Sequence, residues 1–206
     1  MDTKDNYNDL MRAVRVHVTD EELADRRLKG LDRWDEMWDG VLHMVPAPSL
    51  EHQRLLDRLI GFLEPHLRKS GRGRLVSGIN VFGDAGNYRI PDLTFVTAGR
   101  EYIFQEDGVR GGAPDAVIEI RSSQDETYEK LPFYASLGII EVIVIDRDSK
   151  RPELYRLAGA QYVLVQSAAQ GWVRSDVMGV RFRGVEQATP QLVVEDALDP
   201  TTHVEI

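Results

Sequence analysis

The sequence contains no cysteine, which excludes thiol nucleophiles, disulfides and cysteine-based zinc sites. It also lacks any apolar run near the roughly 20 residues that a membrane-spanning helix requires, and its N-terminus has no basic segment followed by an apolar one. Its five histidines are scattered and form no HxxxH pair. We therefore expect a cytoplasmic protein with no membrane contact, whose chemistry would use carboxylates, lysine, serine or a hard metal ion.

Positive charge is also scarce, since 25 Lys and Arg stand against 34 Asp and Glu, for a net charge of −9. Non-specific nucleic-acid binding by the whole surface is not expected, because that affinity comes largely from cations that neutralise phosphates. One segment departs from this balance: residues 66–74, HLRKSGRGR, contain no acid. A solvated helix end and a nucleic-acid contact explain it equally well, so Arg72 and Arg74 are candidate substrate-binding residues.

The length and the pattern of elements favour one α/β domain over residues 1–206. Residues 1–17 are polar and weakly patterned, and we interpret them as a loose arm. Thr19 and Glu22 form a capping-box pattern that opens a short helix. After residue 146, short alternating segments separated by Gly, Gln or Ser clusters predict an antiparallel C-terminal meander.

Three local signals organise the first half of the chain. Asp39-Gly40 lies between two short apolar stretches and predicts a hairpin turn. Leucine and isoleucine then recur at spacings of one, three and four after Ser49, which predicts an amphipathic helix with Ser49 as its N-cap. Pro65 is expected to kink or end that helix.

The central stretch, residues 113–146, is typical of a strand, a polar turn, a short helix and a second strand. The first strand is apolar except for Glu119, and a buried carboxylate is costly unless it is paired. Lys130 lies on the helix, and the Ile/Val run at residues 139–145 predicts a central strand buried on both faces. Asp92 is a similar carboxylate between apolar neighbours on an earlier strand.

Asp92, Glu119 and Lys130 together suit the hydrolysis of a phosphodiester. Mg²⁺ binds through one or two carboxylates, waters and substrate phosphate oxygens, and two acids on adjacent strands could converge on such an ion. A nearby lysine can hold the attacking water and offset charge on the phosphorus.

Four sequence blocks carry a resemblance to a known family. The chain resembles the Uma2 family of restriction endonuclease-like proteins, formerly a domain of unknown function, in the PD-(D/E)XK nuclease superfamily. The resemblance covers roughly residues 19–157 and leaves residues 158–206 as a β-rich extension. The matching blocks are WDGVLHMVPAPSLEHQ at 38–53, RIPDLTFV at 89–96, GAPDAVIEIRS at 112–122 and KLPFYASLGIIEVIVID at 130–146.

The resemblance implies a restriction endonuclease-like core, with a central mixed β-sheet flanked by helices. It also implies a divalent metal, Mg²⁺ or Mn²⁺, held by Asp92 and Glu119, with Lys130 as the catalytic cation. Glu51 would be the acidic residue that completes the site from the first core helix, with His52 beside it. The family's E-X-K signature reads Glu119-Ile120-Arg121 in this chain, and the resemblance moves the lysine to the following helix.

Each site residue also has a plain structural interpretation. Asp92 could be a turn residue after proline, Glu119 an ion-paired strand residue and Lys130 a solvated helix lysine. Glu51 would stabilise a helix N-terminus whatever its function. Arg121 could be a salt-bridge partner, a phosphate contact or a displaced catalytic cation, and the sequence does not separate these roles.

The leading hypothesis is a Mg²⁺- or Mn²⁺-dependent endonuclease that acts on DNA. Hydrolysis of another phosphodiester, such as RNA, stays open. The alternative is a nuclease-fold module that has weak or no catalysis and binds nucleic acid or a protein partner. A homodimer would suit cleavage of both strands of a duplex.

Overall fold

The structure, a computed structural model, describes residues 13–123 and 125–206. The helices within those residues are α1 (Asp20–Leu28), α2 (Leu50–Lys69) and α3 (Leu131–Leu137). The strands there are β1 (Ala13–Arg15), β2 (Asp35–Trp38), β3 (Val41–Met44), β4 (Gly73–Ser77), β5 (Val81–Asp84), β6 (Asn87–Arg89), β7 (Leu93–Thr97), β8 (Phe104–Gln105), β9 (Gly108–Val109), β10 (Ala116–Arg121), β11 (Glu141–Asp146), β12 (Pro152–Ala158), β13 (Gln161–Leu164), β14 (Val173–Ser175), β15 (Val180–Val185), β16 (Gln191–Asp196) and β17 (His203–Glu205).

The predicted N-terminal arm lies outside the described residues over positions 1–12. The part that is described differs from the prediction, because Ala13–Arg15 forms β1 and pairs with β3 in an antiparallel ladder. The capping box at the start of α1 is confirmed, since the side chain of Thr19 accepts a hydrogen bond from the backbone of Glu22 and the side chain of Glu22 reaches back to Thr19.

The central sheet has the strand order β13-β12-β11-β10-β7-β4, with β10 and β11 parallel and the other pairs antiparallel. The predicted mixed sheet is therefore confirmed. Strand β11 is buried on both faces as predicted: Ile143 and Ile145 pack with the leucines of α2, and Val142 and Val144 pack with α3. These four side chains are at most 1% exposed, so α2 covers one face of β11 and α3 covers the other.

The C-terminal strands pair antiparallel as predicted, but they are divided between two sheets. Strands β12 and β13 extend the central sheet, whereas β14 to β17 form a separate antiparallel sheet. Because the turn after β11 is short, the chain folds back on itself and β12 pairs antiparallel with β11. The second unit packs Phe182 and Val194 against the same cluster as the leucines of α2.

Helix α2 begins after Ser49 as predicted, with its side chain accepting a hydrogen bond from His52 N at 3.3 Å. Pro65 does not end the helix, which was one of the two predicted outcomes, because the helix continues to Lys69. Pro65 leaves the carbonyl of Gly61 without its usual partner, but both residues are exposed and water can replace that bond. The apolar stripe meanwhile continues to Leu67, which is fully buried.

The sequence pattern predicts two strands over residues 75–82 and 88–96, but residues 73–97 fold into four shorter strands, β4 to β7. Strands β4 and β7 pair in the central sheet, and the chain leaves that sheet at Gly78, whose φ is +58°. Strands β5 and β6 belong to a second sheet of order β1-β3-β2-β6-β5-β9-β8. The Asp39-Gly40 turn is confirmed and joins β2 to β3 in this second sheet, with φ values of +49° and +83°. Asp92 is thereby placed where the chain passes from one sheet to the other.

A buried ion cluster joins the end of α2 to the C-terminal sheet. Asp196 Oδ2 accepts from Arg72 Nη1 at 2.7 Å and lies 3.0 Å from His66 Nε2. Burial alone would raise the pKa of Asp196, but hydrogen bonds from Leu198 N, Arg72 and Asp199 N outweigh burial and hold this pKa well below its usual value.

We expect this cluster to make the protein less stable in acid. Because the pKa of Asp196 is lower in the folded state, its charge stabilises the fold at pH values above the unfolded-state pKa of about 3.9. This stabilisation is lost as pH falls toward the folded-state pKa. Asp196→Asn should therefore be less stable than wild type at pH 7, with a difference that narrows below about pH 4. Urea unfolding at several pH values measures this, and a difference independent of pH would contradict the assignment.

Candidate active site

A cavity of about 470 Å³ opens where the β2–β3 hairpin, the start of α2, the end of β10 and the segment before α3 meet. Its lining is rich in titratable side chains. Those that line it are Arg33, Glu36, His43, His52, Asp92, Glu119, Asp125, Glu126, Lys130 and Arg147.

Asp92 enters this cavity because of the register between β7 and β10. Leu93 pairs with Ile118 in an antiparallel ladder, so the preceding Asp92 lies beside Glu119. Its Oδ2 accepts from Ile120 N at 2.6 Å, and its Oδ1 lies 3.2 Å from His52 Nε2. Asp92 is thus held by the backbone of the strand that carries Glu119.

Glu119 reaches the cavity from β10 and is only 4% exposed. Strand alternation places it on the α3 face of the sheet, where Tyr134 donates its hydroxyl to Glu119 Oε1 and Lys130 Nζ lies 3.4 Å from the same oxygen. Burial raises the pKa of Glu119, Lys130 opposes this rise, and the negative charges of Asp92 and Glu36 add to it.

Lys130 closes a 3₁₀ turn, Tyr128–Lys130, that leads directly into α3. Its side chain is 13% exposed, and its Nζ lies 2.9 Å from Glu36 Oε1. Burial alone would lower the pKa of Lys130, but Glu119 and Glu36 outweigh burial and raise it. Lys130 is therefore a buried ammonium held between two carboxylates, rather than a solvated helix lysine.

Glu36 is a member of this cluster that the sequence analysis missed. It is 2% exposed and accepts from Ile90 N at 2.9 Å and from Trp38 Nε1 at 2.8 Å, besides its contact with Lys130. The signal in the sequence was weaker than for Glu119, because Glu36 follows a second acid, Asp35, in the four-residue strand β2. The contact of Tyr134 with Glu119 was also missed, because a pattern of apolar positions does not show where a hydroxyl points.

Two histidines line the cavity. Burial lowers the pKa of His52, but its contact with Asp92 outweighs burial and raises it. His52 Nδ1 is buried and has no hydrogen-bond partner among the described residues. His43 Nδ1 lies 3.0 Å from Glu126 Oε2, and its ring stacks on Trp38 with a centroid distance of 4.2 Å.

Glu51 does not join the site. It precedes His52 on α2, but its side chain is 63% exposed and pairs with Arg54 at 2.8 Å. Neighbouring helix positions point about 100° apart, so only one of the two can face the cavity. The structure brings His52 to the carboxylates and leaves Glu51 in solvent, where it suits the plain role at the first turn of a helix.

The three arginines considered as substrate contacts also lie outside the cavity. Arg121 pairs with Asp146 at 3.1 Å and lies over the Tyr128 ring, so the salt-bridge interpretation is the one that the geometry shows. Arg74 pairs with Glu64 at 3.0 Å near the far end of α2, and Arg72 belongs to the Asp196 cluster described above.

The donor set fits a hard divalent cation bound through few protein ligands. Asp92 and Glu119 supply two carboxylates beside one another, with Glu36 close enough to add to the local negative charge. Over residues 13–123 and 125–206, no group of three His, Asp or Glu side chains is arranged to hold a metal ion. Such an ion would therefore complete its shell with water and substrate oxygens, as Mg²⁺ commonly does.

Comparisons with known proteins agree with this fold. The sequence model of the Uma2 family, described as "Putative restriction endonuclease", matches residues 21–195. A similar solved structure is that of "a putative nuclease belonging to DUF820 from Anabaena variabilis ATCC 29413", with a TM-score of 0.56 and 18% sequence identity. The match covers 70% of this chain and 82% of that one.

At this identity the structural likeness shows the fold alone. No curated protein matches the sequence. None of the helices in the described part of the chain is long and apolar enough to cross a membrane. The family match extends past residue 157 to residue 195, so it also takes in β13 to β15 and nearly all of β16. The chain belongs to the Uma2 family.

Proposed function

We propose that this protein is a metal-dependent nuclease that hydrolyses phosphodiester bonds of DNA. The observation that carries the proposal is the meeting of Asp92, Glu119 and Lys130 in one cavity, although they come from three separate segments of the chain. The family description and the name of the structural neighbour support the same class of reaction.

Asp92 and Glu119 would hold Mg²⁺ or Mn²⁺, which supplies a Lewis acid for a phosphate oxygen when it is bound. Lys130 keeps its proton and donates hydrogen bonds, so it can orient a water molecule and offset negative charge on the phosphate. Glu36 fixes the position of that ammonium, and Tyr134 fixes the carboxylate of Glu119. Holding these groups in place before the substrate arrives reduces the reorganisation needed during reaction.

The direct test is incubation of circular and linear DNA with the protein in Mg²⁺ and in Mn²⁺, with RNA as a parallel substrate. We expect cleavage of DNA that stops when EDTA removes the metal. Glu119→Gln is the matched control, because the amide keeps the shape of the side chain and removes the charge. Equal cleavage by wild type and Glu119→Gln would contradict the proposal.

The same assay addresses the alternative of a binding module. If the protein binds DNA in a mobility-shift assay but never cleaves it, that result would favour a catalytically inactive nuclease fold. Cleavage of both strands of a duplex would suit a two-fold dimer, and sedimentation of the protein with a duplex would reveal that assembly.

A further inference from the structure

The wall of the cavity nearest the start of α2 carries three polar side chains that have no part in the hydrolysis proposed above. Arg147 follows directly after β11, Ser49 caps α2, and Ser122 follows β10. All three line the cavity. Arg147 Nη1 lies 3.4 Å from Ser49 Oγ and 3.4 Å from Ser122 Oγ, so three separate elements bring these groups together.

The guanidinium of Arg147 is held in a defined direction. Its Nε and Nη2 donate to the two carboxylate oxygens of Asp148 at 2.9 and 3.0 Å. The side chain of Arg147 is 15% exposed, whereas that of Asp148 is 65% exposed. The Nε and Nη2 edge of the guanidinium is therefore occupied by the solvated carboxylate of Asp148. Nη1, on the other edge, faces the two serines that line the cavity.

The contacts of Nη1 are weak enough to be exchanged for a better acceptor. A distance of 3.4 Å to each serine is long for an N–H···O bond, whose usual length is about 2.9–3.0 Å. A phosphate oxygen would form a shorter, charge-assisted bond with the same group. Serine hydroxyls rotate freely, so both could turn to donate to the same anion.

No other arginine that lines the cavity has this arrangement among the described residues. Arg33 is exposed and lies over the Trp34 ring at 5.0 Å. Lys130 is held by Glu36 and Glu119. Among the described residues, Arg147 is therefore the cavity-lining cation whose Nη1 hydrogen-bonds only to hydroxyls, although the carboxylates of Asp146 and Asp125 also act on its charge.

We propose that Arg147, Ser49 and Ser122 form a binding site for a backbone phosphate of the nucleic acid, beside the phosphate that is cleaved. This proposal rests on the proposed function and assigns the substrate contact that Arg72, Arg74 and Arg121 do not make. The site lies next to the Asp92 and His52 end of the cavity, because Ser49 is the residue that caps the helix turn carrying His52.

The test is a titration of fluorescent DNA oligonucleotides, single-stranded and duplex, by anisotropy in EDTA across a salt series. Arg147→Ala should bind about tenfold more weakly than wild type, as expected for loss of a charge-assisted bond. The slope of log affinity against log salt should fall by about one, since one phosphate contact is lost. Arg121→Ala is the matched control, because it removes an arginine that lies outside the cavity, and it should keep the wild-type slope.

Cleavage kinetics give a second readout. Arg147→Ala should raise KM with little change in kcat, because it removes binding that substrate and transition state share. Arg147→Gln keeps much of the side-chain volume and replaces Arg147→Ala if that variant does not fold. An unchanged salt slope and KM in the Arg147 variant would overturn this site, while cleavage by wild type in metal would leave the proposed function standing. Failure of wild type to bind either oligonucleotide would overturn the site as well, and the separate cleavage assay then decides the function.

Discussion

Lys130→Ala is expected to slow cleavage by about 10²–10⁴-fold, the scale of loss for a positioned catalytic group. Lys130 is the ammonium that lies between Glu36 and Glu119, so its removal takes away the positive charge beside the reacting phosphate. Single-turnover cleavage at saturating metal and substrate measures this rate without a contribution from binding. Metal affinity should not fall, because the lysine is not a ligand and its loss removes a positive charge beside the carboxylate of Glu119.

The Lys130 result needs a control for folding, since the substitution leaves Glu36 and Glu119 buried without their cation. Lys130→Met keeps most of the side-chain volume and should be as slow as Lys130→Ala, and thermal unfolding compares the stability of both. Arg121→Ala is the matched control, because it removes a cation that lies outside the cavity. This variant should cleave at nearly the wild-type rate. A Lys130→Ala protein that cleaves as fast as wild type would end the assignment of Lys130.

Asp92→Asn is expected to weaken Mg²⁺ or Mn²⁺ binding by more than about 100-fold, because even partners of metal ligands commonly change affinity by about 10–100-fold. The amide retains an acceptor for Ile120 N, whose bond to Asp92 ties two strands together, so the fold should persist. Calorimetric titration of each metal into wild type and variant measures the effect.

Glu51→Gln is the matched control for the metal titration. Glu51 lies one residue before His52 but projects into solvent and pairs with Arg54. Its substitution should leave metal affinity unchanged. If Glu51→Gln lost binding and Asp92→Asn retained it, the metal site would have to be moved to the exposed face of α2.

Residues whose placement depends on their neighbours in sequence were predicted well. The Thr19 capping box, the Ser49 cap and the Asp39-Gly40 turn all form as expected, because each depends on hydrogen bonds or φ values within a few residues. Strand β11 is buried on both faces as its apolar run indicated. The helix does not end at Pro65, since packing of Leu67 outweighs the lost helix bond.

The partners of the site residues could not be predicted in this way. Glu36 and Lys130 are separated by 94 positions in the sequence, and their contact depends on how two sheets and α3 meet. The choice of His52 over Glu51 depends on the rotation of α2 about its own axis. Arg121 was an open question for the same reason, because strand parity does not show which acid a long side chain will reach.

The sequence by itself determined the family, the mixed sheet and the candidates Asp92, Glu119 and Lys130, because these follow from local patterns and a fixed order of blocks. Only the tertiary structure decided which charges share a cavity: it added Glu36, excluded Glu51 and exposed the free edge of Arg147. The physical reason is that local hydrogen bonds and apolar periodicity form elements, whereas the pairing of long charged side chains depends on how distant elements pack.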